Sequence, residues 1–149
     1  MAGNRNFNGV QINQSVTIVE QAGVEIKDCR NRILVYDDNG NVILATDGKK
    51  PFVGIALIES GLNDISGKES GSVAEGDDVD IQIKDIGYIL AGAEIKKGAE
   101  VTAGADGLAA TAASGDYVVG IALSAVNANE YCRVQISKYQ KASESEKED

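Results

Sequence analysis

The chain has no histidine and no tryptophan, a single proline and only two cysteines among 149 residues. The missing histidine removes the most frequent general base, the usual activator of Ser and Cys nucleophiles and the commonest metal ligand. Cys29 and Cys132 are too few for a disulfide framework and lack metal-ligand spacing. They read as two small, half-buried thiols in a reducing compartment, where the sequon Asn13-Gln14-Ser15 carries little meaning. Aromatic residues make up only 5% of the chain, so a core has to be built from Val, Ile, Leu and Ala. No apolar run approaches the ~20 residues of a membrane-spanning helix, and the polar segment 1–15 lacks the apolar centre of a secretory signal. Positive charge is also scarce. Lys and Arg number 14 against 23 Asp and Glu, a net charge of −9, which argues against nucleic acid or anionic membrane as a partner.

What is present is glycine, 17 of them, and a hydrophobic content of 43% distributed in short runs. The string VGIAL occurs twice, at Val53–Leu57 and Val119–Leu123, after turn-like segments at 47–51 and 114–116. The offset between its glycines is 120 − 54 = 66. Upstream, Glu25-Ile26-Lys27 matches Glu94-Ile95-Lys96 (94 − 25 = 69), and Gly40 matches Gly107 (107 − 40 = 67). Collinear matches with nearly constant offsets mark a duplicated unit. Asp78–Ile83 (DVDIQI) and Tyr131–Ile136 (YCRVQI) share a Gln-Ile ending, so both copies are expected to close on the same edge.

Period-two alternation and short buried runs predict strands at Val16–Val19, Val24–Lys27, Arg32–Tyr36, Val42–Ala45, Phe52–Ile58, Asp78–Ile83, Gly87–Leu90, Glu100–Ala103, Leu108–Thr111 and Tyr131–Ile136. Asn39-Gly40 predicts a tight hairpin with positive φ at both central residues. The glycine of each VGIAL predicts a bulge or a close approach of two backbones. No window carries a helical apolar stripe with caps. The expected fold is all-β: two related rolls or partly closed barrels, side by side or sharing strands. The expected division is an N-terminal arm at 1–15, a first unit at 16–84 with a polar loop at 59–76, a second unit at 85–139 and a disordered acidic tail at 140–149. The arm's handles, Asn4, Arg5, Asn6, Phe7, Val10 and Ile12, are the candidate contact residues.

No residues are assigned to catalysis, a cofactor or a metal. Asp37, Asn39 and Asn41 have the oxygen spacing of a calcium loop, but Val42 and Gly48 occupy its glycine and glutamate positions, and a hairpin explains them better. Asp77, Asp78 and Asp80 form a carboxylate cluster that alternation with Val79 and Ile81 places on a solvent-facing strand surface. The stretch GAEIKKGAEVTAGADG resembles the turn of lipoyl and biotinyl carrier domains, yet its tip, Ala105-Asp106-Gly107, lacks the lysine such carriers modify.

The second unit also resembles the small head decoration, or capsid cement, proteins of tailed bacteriophages. Ile95, Gly98, Val101, Asp106-Gly107, Gly115-Asp116, Val119–Leu123, Glu130 and Arg133-Val134 match that family's strand-and-turn pattern in order. The first unit echoes it through Gly40 and Val53–Leu57. The resemblance implies a non-enzymatic virion protein, made in the host cytoplasm, that binds the major capsid protein on the head exterior and stiffens it, often as a trimer. The 59–76 loop, the arm and the tail are not part of that pattern, so no contact surface carries over. Two other readings compete: a carbohydrate- or host-surface-binding module displayed on a particle, and an acid-dependent hydrolase in which two carboxylates converge.

Overall fold

The structure is a computed structural model, and it describes residues 16–63, 65–66 and 68–144. Among the described residues ten strands form two five-stranded antiparallel sheets. The first contains β1 (Thr17–Gln21), β2 (Ile33–Tyr36), β3 (Val42–Leu44), β4 (Gly54–Ala56) and β5 (Asp78–Gln82) in the order β1-β5-β4-β2-β3. The second contains β6 (Ile86–Leu90), β7 (Glu100–Ala103), β8 (Ala109–Thr111), β9 (Tyr117–Ala122) and β10 (Tyr131–Gln140) in the order β6-β10-β9-β7-β8. Replacing each strand by the one five places on turns the first order into the second.

The duplication holds at the level of register. Ile55 pairs with Gln82 in the first sheet, and Ile121 pairs with Gln135 in the second. Both sheets are then drawn partly closed by the same parallel bridge, Ala22 to Val42 and Ala91 to Ala109. Just beyond it, Gly23 N–H donates to Val42 (2.8 Å) and Gly92 N–H to Ala109 (2.9 Å). Even the left-handed positions coincide. Asn31 (φ 57°) and Gly98 (φ 88°) each donate their N–H to the matching alanine, Ala56 or Ala122. Two different residue types in one backbone conformation show that the turn geometry, not glycine, was kept.

The VGIAL glycines sit where two backbones nearly touch. A Cβ on Gly54 would lie 2.2 Å from the carbonyl oxygen of Gln82, and one on Gly120 2.1 Å from that of Gln135. No side chain fits such a gap, which explains why the string recurs with its glycine intact.

The units share a core as well as a plan. One apolar cluster (Leu34, Val42, Val53, Val79, Ile81 and neighbours) fills the first unit. The other joins Ile89, Val101, Val119 and Val134 of the second unit to Ile33, Val35, Phe52 and Ile55 of the first. This accounts for the uninterrupted apolar run of β2: Leu34 faces its own unit while Ile33 and Val35 face the other. A strand covered on both sides has no reason to alternate.

Polar contacts fasten the same junction. Asn31 lies at the free edge of β6, its side-chain amide donating to the Tyr88 carbonyl (3.0 Å) and its backbone carbonyl accepting from Leu90 N–H (3.0 Å). Gly107 N–H donates to Ala45 (2.6 Å), and Tyr117 N–H to Gly48 (2.9 Å). The Gln82 amide donates to the carbonyls of Lys84 (2.9 Å) and Ile86 (2.8 Å), shaping the short connection between the sheets.

Several local expectations are revised. Val24–Lys27 is not a strand; only Ile26 forms a bridge, to Val73, as its counterpart Ile95 does to Val126. In the β2–β3 hairpin only Gly40 has positive φ (81°). The Asp37 carboxylate accepts from the N–H groups of Asn39 (2.8 Å) and Asn41 (3.0 Å), which stabilises a longer loop instead of a two-residue turn. The strand starting at Tyr131 runs on to Gln140, past a β-bulge between Ile136 and Tyr139. After it, Lys141 N–H donates to Asp116 (2.8 Å) and Glu144 N–H to the Ser114 hydroxyl (2.6 Å). No α-helix occurs among the described residues.

Candidate functional site

The candidate contact residues Asn4, Arg5, Asn6, Phe7, Val10 and Ile12 lie outside the described residues. Asp78 and Asp80 project from the exposed side of β5, beside Asp77, as alternation requires. Among the described residues no group of three or more acidic or thiol side chains is placed to hold a metal.

Both thiols are buried outright, more fully than the sequence suggests. Burial, reinforced by the nearby Asp28 charge, pushes the Cys29 thiol up to about 11, and burial raises Cys132 too. A thiol held protonated and covered is a core residue and a poor nucleophile.

The 59–76 excursion is tied back onto the first unit. Gly71 accepts from Cys29 N–H (3.0 Å), and Ser60 donates its hydroxyl to the Asp80 carbonyl (2.7 Å). Arg30 forks onto Asp28, with contacts of 3.0 Å to each carboxylate oxygen. Burial raises the Asp28 carboxyl, but the hydrogen bonds from the Arg30 side chain and N–H outweigh it and leave the pKa below the ordinary value. Arg30 also helps line a small cavity of about 210 Å³ with Ile58, Ser60 and Leu62. A larger cleft of about 490 Å³ opens where segment 24–28 diverges from β3, with Arg32 and Asp106 at its junction end. Arg32 donates there to the Asp106 carbonyl (3.1 Å). The larger cleft carries the charged groups Glu25, Lys27, Asp28, Arg32 and Asp106.

The more distinctive surface is a sheet face. On the outer side of β6 and β10 stand Ile86, Tyr88 and Tyr131, each about half exposed (50%, 51% and 54%). Arg133 is exposed directly across from Tyr88, and Gln135 across from Ile86. Large exposed aromatic and aliphatic groups around an arginine have the composition of a protein-binding patch. The sequence pattern of single strands does not single these residues out. The signal lies in aligning the copies: DVDIQI against YCRVQI puts tyrosine and arginine where the first unit has aspartates.

No protein-family model matches the chain, and no curated protein sequence does. A solved structure does match. The chain has a fold similar to that of a phage head-fiber base. The neighbour is the N base of head fiber gp8.5 in bacteriophage phi29, at a TM-score of 0.56 and 19% identity, covering 83% of this chain and 95% of that one. Nearly the whole neighbour is superposable, so the likeness concerns the two-unit architecture and not one recurrent sheet.

Proposed function

We propose that this chain is a phage capsid decoration protein that binds the outer surface of the icosahedral head and stabilises it. The observation that carries the reading is the fold shared with a phage head-fiber base over 95% of that chain, which accords with the cement-like pattern running from Ile95 to Val134. In this reading the protein works by binding alone, with the major capsid protein as partner. The segment Asn4–Ile12 adds contacts to those of the barrels. Several copies engage the shell together, so modest affinity per site suffices for firm attachment. A chain whose two units share one apolar cluster and several backbone hydrogen bonds is a rigid body suited to bracing a lattice.

The test is to mix the purified chain with expanded heads of its phage from which the protein has been genetically removed. Saturable co-sedimentation at a fixed number of copies per head, with a raised temperature of head disruption, is the expected result. Heads that sediment without it would overturn the reading. Binding without added head stability would reduce it to attachment alone.

A further inference from the structure

The duplicated unit supplies its own control for what folding requires. Registers fix the equivalences: Asp78 with Tyr131 (131 − 78 = 53), Asp80 with Arg133 (133 − 80 = 53), Thr17 with Ile86 (86 − 17 = 69) and Val19 with Tyr88 (88 − 19 = 69). One face thus folds with aspartates, a threonine and a valine, and the other with tyrosines, an isoleucine and an arginine. The fold accepts either set, so it does not demand the tyrosines and the arginine. They stay largely in solvent, at a cost in exposed apolar surface that needs another explanation.

The two faces are complementary. The β1/β5 face carries Asp78 and Asp80 around Val19, which is 53% exposed. The β6/β10 face carries Arg133 between Tyr88 and Tyr131. The ion pairs among the described residues are Arg30–Asp28, Lys49–Asp116 and Lys141–Glu100, so Arg133, Asp78 and Asp80 are in none of them. Both faces are exposed in the single chain, so they do not cover each other within it.

We propose that the β6/β10 face of one copy docks on the β1/β5 face of a second copy. Arg133 meets Asp78 and Asp80, and Tyr88 and Tyr131 cover Val19. Because the contact joins two different surfaces, every copy keeps one of each free until the chain of contacts closes. Such head-to-tail association ends in a ring or continues as a fibre. Arginine and tyrosine at its centre are the residue types that dominate protein interfaces. The proposal concerns copies of this chain alone and stands apart from capsid binding.

A charge swap tests it, read by sedimentation equilibrium of the full chain without heads. The wild type should associate, and Arg133→Asp should weaken association roughly tenfold or more, as should Asp80→Arg. Arg133→Asp and Asp80→Arg combined in one chain restore an opposite-charge pair between positions 133 and 80, with Asp78 left facing the new aspartate at position 133, and should recover part of the loss. An unchanged melting temperature in each variant separates this effect from misfolding, since all these positions are on the surface. If a variant does lose stability, mixing Arg133→Asp chains with Asp80→Arg chains gives a second reading. Contacts between unlike variants pair an aspartate with an arginine, whereas contacts within one variant oppose like charges. The mixture should therefore associate more strongly than either variant alone. A wild type that stays monomeric up to about 1 mM overturns the proposal, as does a double variant no better than the singles. A monomeric wild type whose head binding is lost on Arg133→Asp would assign this face to the shell and overturn it too.

Discussion

Lys138 donates a hydrogen bond of 2.9 Å from its ammonium to the backbone carbonyl of Val53, 85 residues earlier in the chain and in the other unit. The bulge in β10 makes this reach possible. Ile136 pairs with Gly120 and Tyr139 with Val118, so β10 advances three residues while β9 advances two. The extra residue changes the direction of the side chains, the usual use of a bulge. Replacing Lys138 by Met keeps the aliphatic stem and removes the donor. A loss of about 1 kcal/mol is expected, measured as a lower urea midpoint with an unchanged slope. No change would mean that water replaces the ammonium without penalty.

The glycines give a sharper contrast. At Gly120 an added Cβ would come within 2.1 Å of the Gln135 carbonyl oxygen, so the sheet would have to open. At Gly104 the nearest atom would be 3.7 Å away, and φ is −103°, which alanine adopts freely. Gly120→Ala should therefore destabilise by roughly 2–4 kcal/mol or prevent folding. Gly104→Ala should be neutral or gain up to about 1 kcal/mol by narrowing the unfolded ensemble. Chemical unfolding of both variants distinguishes a packing requirement from a general dislike of substituted glycines.

Stability should fall at alkaline pH. Burial and then Asp28 raise the Cys29 thiol from 9.0 to about 11; burial and then Glu100 raise the Tyr139 hydroxyl from 10.0 to about 12. The folded chain holds these protons more tightly than the unfolded chain does. Their contribution is fully present below the unfolded values and is lost as pH rises through the folded ones. The urea midpoint should accordingly drop between about pH 9 and 12, and less steeply in Cys29→Ala than in the wild type. At pH 8 a thiol reagent should leave native protein unlabelled and modify both cysteines only on unfolding. Rapid labelling of native protein would contradict the burial.

Much of this architecture was legible in the sequence because duplication leaves a visible trace. VGIAL, the paired Glu-Ile-Lys segments and the Gln-Ile endings all fall at equivalent places, and their small drift in offset reflects loop lengths. Period-two alternation misled at Val24–Lys27 because Ile26 alone finds a partner there, while the neighbouring residues border an open cleft. The continuation of the last strand from Ile136 to Gln140 is not legible in the sequence, because the bulge breaks alternation there before pairing resumes. The tyrosine and arginine face is hidden in the sequence for another reason. Tyr88 and Tyr131 lie 131 − 88 = 43 residues apart and become neighbours only through the β6–β10 pairing.

The apolar cluster shared by the two units has a consequence for how the protein came to be and how it comes apart. Ile33, Val35, Phe52 and Ile55 would be left bare if the second unit were removed, so neither half is a self-sufficient fragment, and melting should occur as one event. A gene doubling of this kind turns a symmetric pair into a tethered one, in which each partner is free to drift on its outer side as long as the inner side stays fitted. The aspartates on one half and the tyrosines on the other are what that freedom looks like after it has been used.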